Sequence, residues 1–297
     1  MVVEAPRCSV CGRRAVYKRS YSGELLCERC LLRSLARSVK RQASRSGGFR
    51  PRMRVLVPAA LTAPHLGLAL ALALHEATRG LDVTVDIAVP AGREWEVYVH
   101  PDSLARLMKL PRARLWKALL RLRRLPSSLR ACLRLDRAWS AAAARLIGAG
   151  AVGLPVTRTT VILVMLDSLM EGADWGLSDA LEESVDINGV HVAPLLYSVE
   201  GEAAAALAAA WRLYAWSPCK PRSLSAEAFW SVAGRRPELE FSVQKVVGLL
   251  ARGSSRARCP LCGGASPGGV CPDCRISGLE GVEVEEFKPS PGRPGGI

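Results

Sequence analysis

Two sets of four cysteines constrain the fold of this chain more than any other feature. Each set consists of two Cys-x-x-Cys pairs, one set near each end of the chain. A two-residue gap lets two thiolates of one tight turn face the same ion, and two such turns complete a tetrahedron. We therefore predict two small metal-binding modules. The predicted ligands are Cys8, Cys11, Cys27 and Cys30 in the first, and Cys259, Cys262, Cys271 and Cys274 in the second.

Cysteine pairs also occur in the disulfide scaffolds of secreted proteins. The chain reaches Cys8 without the apolar run that a signal peptide carries, so we favour two structural zinc ions over disulfides. Protein fills all four positions of each ion, which leaves none for catalysis. The uncharged stretch 55–74 contains Pro58 and Pro64, which favours a strand, a turn and a helix over a membrane span. We expect a cytoplasmic protein without membrane contact.

The positive charge lies in two segments. The 297 residues include 41 Lys and Arg against 27 Asp and Glu, a net charge of +14. Residues 1–54 and 104–137 hold 25 of these basic side chains, which favours a docking surface for a polyanion. Helical spacing of apolar residues predicts a basic helix in each segment, after Cys30 and between Pro111 and Pro126. A solvated helix face is the alternative. The candidate phosphate contacts are Arg33, Arg37, Arg41, Arg114, Arg121 and Arg124.

Between the cysteine sets, short apolar runs alternate with helical segments. Strands are predicted at 54–57, 81–89, 150–154 and 189–195, and helices at 65–79, 128–148, 160–172 and 201–216. This alternation is typical of an α/β fold with a parallel sheet and helices on its faces. The predicted domains are an N-terminal zinc ribbon with its basic helix (1–47), an α/β domain (48–254), a C-terminal zinc ribbon (255–277) and a disordered tail (278–297).

Two cysteines remain outside the sets. Cys132 and Cys219 are either small buried hydrophobes or reactive thiols. Arginines lie two positions before and two positions after Cys132, and Lys220 directly follows Cys219. Cationic neighbours would stabilise a thiolate, so both cysteines are candidate catalytic residues.

The cysteine pairs, the basic helix, the α/β centre and the final Cys-Pro-x-Cys-Gly and Cys-Pro-x-Cys motifs together resemble one family. The chain resembles TtuA-type tRNA 2-thiouridine synthetases, which are related to the TtcA 2-thiocytidine enzymes, from Cys8 to Cys274. The resemblance implies a Rossmann-like domain of the PP-loop N-type ATP pyrophosphatase class (adenine nucleotide alpha hydrolase-like, HUP). It also implies ATP-dependent activation of a tRNA base.

The PP-loop itself departs from that family. The family carries Ser-Gly-Gly-Lys-Asp-Ser after its first strand. Here the loop position holds Ala60, Leu61, Thr62, Ala63, Pro64 and His65. A phosphate cradle needs glycine, free N–H groups and a cation, so this turn puts ATP in doubt as a cofactor. The segment 155–160 likewise lacks the carboxylates of the family's second nucleotide-site motif.

The resemblance also implies three cysteines that hold an iron–sulfur cluster. Cys132 matches the second, Leu129 replaces the first, and Cys219 falls near the third. Two thiols make a poor cage for a cubane cluster, so we expect no iron–sulfur cluster.

We therefore expect a catalytically degenerate paralogue or subunit of a tRNA 2-thiouridine synthesis system that binds tRNA. Its partner would be a catalytic paralogue or a sulfur-carrier protein, and the family resemblance makes a homodimer plausible. One alternative is an active ATP-dependent tRNA sulfurtransferase with an altered nucleotide loop. The others are a zinc-ribbon adaptor between proteins, without RNA, and a thiol redox protein.

Overall fold

The computed structural model describes residues 5–47, 49–180, 183–219, 223, 226–233, 238–251 and 257–287. The strands are β1 (Tyr17–Lys18), β2 (Leu25–Leu26), β3 (Arg54–Pro58), β4 (Thr84–Ala91), β5 (Tyr98–Val99), β6 (Ala113–Leu122), β7 (Ala151–Leu154), β8 (Val185–Ile187), β9 (Val190–Pro194), β10 (Ala215–Trp216) and β11 (Leu279–Glu286). The α-helices are α1 (Glu28–Ser46), α2 (Pro64–Ala77), α3 (Pro101–Met108), α4 (Leu129–Ile147), α5 (Arg158–Met170), α6 (Gly201–Ala210), α7 (Ala226–Ala233), α8 (Glu238–Ala251) and α9 (Pro272–Ser277). A 3₁₀ helix covers Asp174–Ala180.

A seven-stranded sheet forms the centre, in the order β11-β6-β4-β3-β7-β9-β8. Its five inner strands are parallel, and β11 and β8 pair antiparallel at the two edges. From β3 the chain proceeds to β4 and β6 on one side and to β7 and β9 on the other. The order therefore reverses between β3 and β7, which is the kind of switch point at which open α/β sheets bind ligands. This confirms the predicted Rossmann-like class.

The central strand and the helix after it form the core. Val55, Leu56 and Val57 of β3 are fully buried, as expected for a strand covered on both faces. Helix α2 is apolar on all sides because it packs between the sheet and the helices α1 and α6. Gly67 allows α2 to approach this closely, since a Cβ at that position would lie 2.1 Å from the Pro58 carbonyl oxygen.

Several predicted elements differ from the structure. The segment between Pro111 and Pro126 is not a basic helix but the strand β6, because it pairs with β4 on one side and β11 on the other. Helix α6 ends at Ala210, short of the predicted 216. Residues 279–286 of the predicted disordered tail form β11, while 288–297 lie outside the described residues.

Within the described part of the chain, no helix is long and apolar enough to cross a membrane.

Candidate functional site

The first cysteine set closes around one point. The Sγ atoms of Cys8, Cys11, Cys27 and Cys30 all lie within 4.8 Å of one another. Gly12 allows the first tight turn with its φ of 72°, and its N–H donates to the Cys8 carbonyl at 2.9 Å. The second pair lies at the start of α1, where Cys27 is the N-cap residue. Burial opposes ionisation of Cys8, but N–H groups of Cys27, Val10 and Cys11 directed at its sulfur lower its pKa to about 6.

The second set is built in the same way and is fully buried. Cys259, Cys262, Cys271 and Cys274 also place their sulfurs within 4.8 Å of one another. Gly263 has a φ of 69° and closes the first turn, and Cys271 caps the short helix α9. The structure therefore brings together all eight cysteines that the sequence selects, four at each end of the chain.

The sulfur separations indicate what each set can hold. Cys11 Sγ lies 3.5 Å from Cys27 Sγ and 3.6 Å from Cys30 Sγ, and Cys262 Sγ lies 3.8 Å from Cys271 Sγ. A tetrahedral ion about 2.3 Å from each sulfur has sulfur–sulfur edges of about 3.8 Å. Four thiolates are also the ligand set of iron–sulfur clusters. Both sets thus offer a complete set of soft donors for a metal centre.

A buried ionic network attaches the second set to helix α4. Arg134 is completely buried and donates from Nε to Asp179 at 2.5 Å and from a terminal nitrogen to the Ala265 carbonyl at 3.0 Å. Arg130 donates to Asp273, between two of the cysteines, at 3.1 Å. Arg137 also pairs with Asp179. These arginines recur along one face of α4, which is the face on which the C-terminal module docks.

The two remaining cysteines, Cys132 and Cys219, come together on the opposite side of α4. Cys132 Sγ and Cys219 Sγ both contact the carbonyl oxygen of Pro126, at 3.7 and 3.2 Å. The hydrogen bond with Cys219 and burial both raise the pKa of the Cys132 thiol far above its ordinary value. The arginines near Cys132 in sequence pair with Asp179 and Asp273, and a catalytic role of Cys132 and Cys219 stays a prediction.

Asp136, one turn after Cys132 on α4, directs its carboxylate at the loop after β3. Its carboxylate accepts the backbone N–H groups of Leu61 at 2.8 Å and Thr62 at 3.2 Å, and the Thr62 hydroxyl at 3.1 Å. Trp139 Nε1 donates to the same carboxylate at 3.0 Å. Burial raises the pKa of Asp136 to about 6, against these hydrogen bonds, which lower it. The N–H groups of this loop are thus satisfied within the protein.

Asp136 is not among the site residues that the sequence predicts. One signal was present, since Asp136 is the only acidic residue between 104 and 137. Nothing local pairs it with a loop 75 positions earlier in the chain. The candidate loop residues Ala60–His65 do lie at the switch point of the sheet, with Pro64 as the first residue of α2.

The six candidate arginines divide into two groups. Arg33, Arg37 and Arg41 are exposed at four-residue steps along α1, as predicted. A groove of about 570 Å³ beside them is lined by Arg19, Ser34, Arg37, Lys40, Arg41 and Ser44. The other three, Arg114, Arg121 and Arg124, are exposed but belong to β6 and the turn after it. Strand β11 pairs with β6, and its Glu283 forms an ion pair with Arg121.

The overall α/β architecture is also that of a solved tRNA thiolase. A solved structure described as U34-tRNA thiolase NcsA from Methanococcus maripaludis with its [4Fe-4S] cluster matches with a TM-score of 0.64 and 16% sequence identity. The match covers 91% of this chain and 95% of that chain. At this identity the likeness establishes the fold.

The sequence of the N-terminal module gives the second comparison. Residues 7–32 match the family described as 2-thiouridine synthetase TtuA, N-terminal LIM domain. The shared fold and the matching N-terminal module confirm the resemblance to the TtuA/TtcA-type tRNA thiolases. No curated protein matches the chain.

The comparison corrects the predicted cofactors. We expected no iron–sulfur cluster, but the thiolase NcsA, which shares this fold, carries a [4Fe-4S] cluster. Four cysteines are also the ligand type that iron–sulfur clusters use. The expectation that no cluster is present rested on Cys132 and Cys219 alone, whereas the chain has eight further cysteines in two complete sets.

Proposed function

We propose that this protein binds tRNA as a catalytically degenerate relative of the tRNA thiolases and that a partner supplies the nucleotide chemistry. The observation that carries this proposal is the contact between Asp136 and the loop after β3. A PP-loop binds phosphate through backbone N–H groups, but here the carboxylate accepts those of Leu61 and Thr62. A nucleotide phosphate would have to displace a buried anion and would find no lysine in the loop.

The RNA-binding part of the proposal rests on α1. Arg33, Arg37 and Arg41 are exposed on one side of a 19-residue helix, and the sulfurs of the first metal-binding set anchor its first turn. Arginine binds phosphate in a bidentate manner, and a row of arginines fixed on a helix can follow a phosphate backbone. On β6, ion pairs with β11 reduce the charge available at Arg121, which makes α1 the principal phosphate-binding face.

The degenerate nucleotide loop is tested by AMP release from ATP. Purified, metal-loaded protein is kept anaerobic and assayed with and without saturating bulk tRNA. We expect no AMP above the background of a protein-free sample in either case. Release of AMP that requires tRNA would overturn the proposal.

Binding of tRNA is tested by fluorescence anisotropy across a salt series. We expect affinity for labelled tRNA to fall linearly on a double-logarithmic plot as salt rises. Substitution Arg37→Ala should reduce the slope by about one phosphate contact. Arg145→Ala removes an equally exposed arginine at the end of α4 and is the matched control. If Arg37→Ala and Arg145→Ala bind tRNA with equal affinity and equal salt slope, the RNA does not contact Arg37.

One observation favours an active sulfurtransferase as the second candidate. Cys132 and Cys219 are 87 positions apart in sequence but meet at the Pro126 carbonyl, beside the end of β6. Two adjacent thiols are suited to carrying sulfur. In that case AMP release would require tRNA, and Cys219→Ser would abolish sulfur incorporation into tRNA while leaving tRNA affinity unchanged.

A further inference from the structure

A small ribbon beside the main sheet displays aromatic rings to solvent. Strands β5 and β10 pair antiparallel, with Tyr98 opposite Trp216 and Val99 opposite Ala215. His100 and Tyr214 continue the pairing through a backbone hydrogen bond of 2.9 Å from the His100 N–H to the Tyr214 carbonyl.

The alternation of a strand separates the two faces of this ribbon. Val97, Val99, Leu213 and Ala215 are buried in the protein. The other face carries the rings, with Tyr98 and Tyr214 each 45% exposed and Trp216 57% exposed. Burial therefore anchors the ribbon and leaves its aromatic face open.

The rings support one another and leave a surface available. Tyr98 and Trp216 have centroids 5.3 Å apart with planes tilted by 36°, and His100 lies edge-on to Tyr214 at 6.3 Å. Ser103 holds the second strand in place, because its hydroxyl accepts the Tyr214 N–H at 2.9 Å. The side chains of such a fixed platform lose little entropy when a ligand stacks on them.

The ribbon leads directly to the carboxyl edge of the main sheet. Trp216 precedes Cys219 by three residues, and Cys219 Sγ contacts the carbonyl of Pro126 at 3.2 Å. Arg124, two residues before Pro126, is exposed. Because a chain spans at most about 3.6 Å per residue, the platform and this cation lie within a few nucleotide lengths of each other.

We propose that the exposed face formed by Tyr98 and Trp216 is a stacking platform for an unpaired nucleobase of the bound RNA. This inference rests on the proposed tRNA binding. An aromatic surface attached to a cationic segment matches the bases and the phosphates of single-stranded RNA. The platform places the stacked base near the edge of the sheet where Cys132 and Cys219 meet.

The test compares Trp216→Ala with Trp216→Phe in the full-length protein. The probes are labelled tRNA and two labelled single strands of equal length, oligouridylate and an abasic ribose-phosphate chain. We expect Trp216→Ala to weaken binding of tRNA and oligouridylate by about 5- to 100-fold. Its salt slope should stay unchanged, because no phosphate contact is lost. Trp216→Phe should restore most of the affinity.

Abasic RNA separates stacking from general loss of binding. Wild type should prefer oligouridylate to the abasic strand, and Trp216→Ala should lose this preference. Phe287→Ala removes another exposed ring, 43% exposed at the end of β11, and is the matched control. Equal affinity of wild type and Trp216→Ala for every probe would overturn the stacking platform and leave the proposed tRNA binding standing. Absence of tRNA binding by wild type would overturn the proposed function as well.

Discussion

The carboxylate of Asp136 accepts the backbone N–H of Leu61 at 2.8 Å, which joins helix α4 to a loop 75 residues earlier in the chain. This contact places a buried carboxylate at the N–H groups of the loop after β3. The same α4 carries Cys132 one turn earlier and Arg134 on its other side, so a single helix organises the loop, the thiol pair and the C-terminal metal-binding module.

Asp136 should make stability depend on pH. Its pKa in the folded protein is raised to about 6, above its unfolded value of 3.8. The folded state therefore binds the proton more tightly, and this contribution is complete below pH 3.8 and is lost as pH rises through 6. Relative to Asp136→Asn, the wild-type free energy of unfolding should fall by about 2.5 kcal/mol between pH 4 and 7.

Urea unfolding of wild type and Asp136→Asn at several pH values measures this difference. The other carboxylates are present in both proteins, so their contributions to the difference cancel. A constant difference between wild type and Asp136→Asn would contradict the prediction.

Each four-cysteine set should hold its own metal centre. Cys27→Ser should remove the metal of the first set and Cys262→Ser that of the second, because three thiolates leave the coordination incomplete. Zinc, iron and acid-labile sulfide are measured together on the purified proteins. Cys219→Ser, outside both sets, should keep the metal content of wild type. Full metal content in Cys27→Ser or Cys262→Ser would refute independent sites.

Loss of Asp179 should be strongly destabilising. Its buried carboxylate pairs with both Arg134 and Arg137. Asp179→Asn leaves uncompensated buried guanidinium groups and should lower the free energy of unfolding by about 3–5 kcal/mol. Asp82→Asn breaks an exposed pair with Arg112 and should cost less than about 1 kcal/mol. Denaturant titrations compare the two, and similar losses would show that the network is not critical.

Gly67 should not tolerate a side chain. A Cβ there would lie 2.1 Å from the Pro58 carbonyl oxygen, so α2 or β3 would have to move. We expect Gly67→Ala to cost about 3 kcal/mol. Gly150→Ala, whose Cβ would meet only the end of Met53 at 3.5 Å, should change stability little. Thermal unfolding checks both substitutions, and an unaltered melting temperature for Gly67→Ala would show that the helix can shift.

The fold class and the metal-binding sets could be predicted from the sequence because their signals are local. A Cys-x-x-Cys turn needs only four residues and one tight bend, and all eight cysteines meet as expected. Buried strands such as β3 and β7 are short apolar runs between helical segments. The basic face of α1 follows from a four-residue spacing along one helix.

Strand β6 shows where local pattern fails. Leu115, Leu119 and Leu122 have helical spacing, yet the segment hydrogen-bonds along its length to β4 and to β11. The pairing with β11 joins residues more than 150 positions apart, and glutamates of that strand neutralise Arg121 and Arg123. These carboxylates lie too far along the chain to be found from the sequence near Arg121.

The sequence by itself thus determined the two cysteine modules, the parallel α/β class and the arginine row on α1, since each depends on residues close together along the chain. The tertiary structure alone decided the contact of Asp136 with the loop after β3, the meeting of Cys132 with Cys219 and the aromatic face of β5 and β10. These depend on which strands become neighbours, and that choice is made by burial over the whole chain rather than by any local pattern.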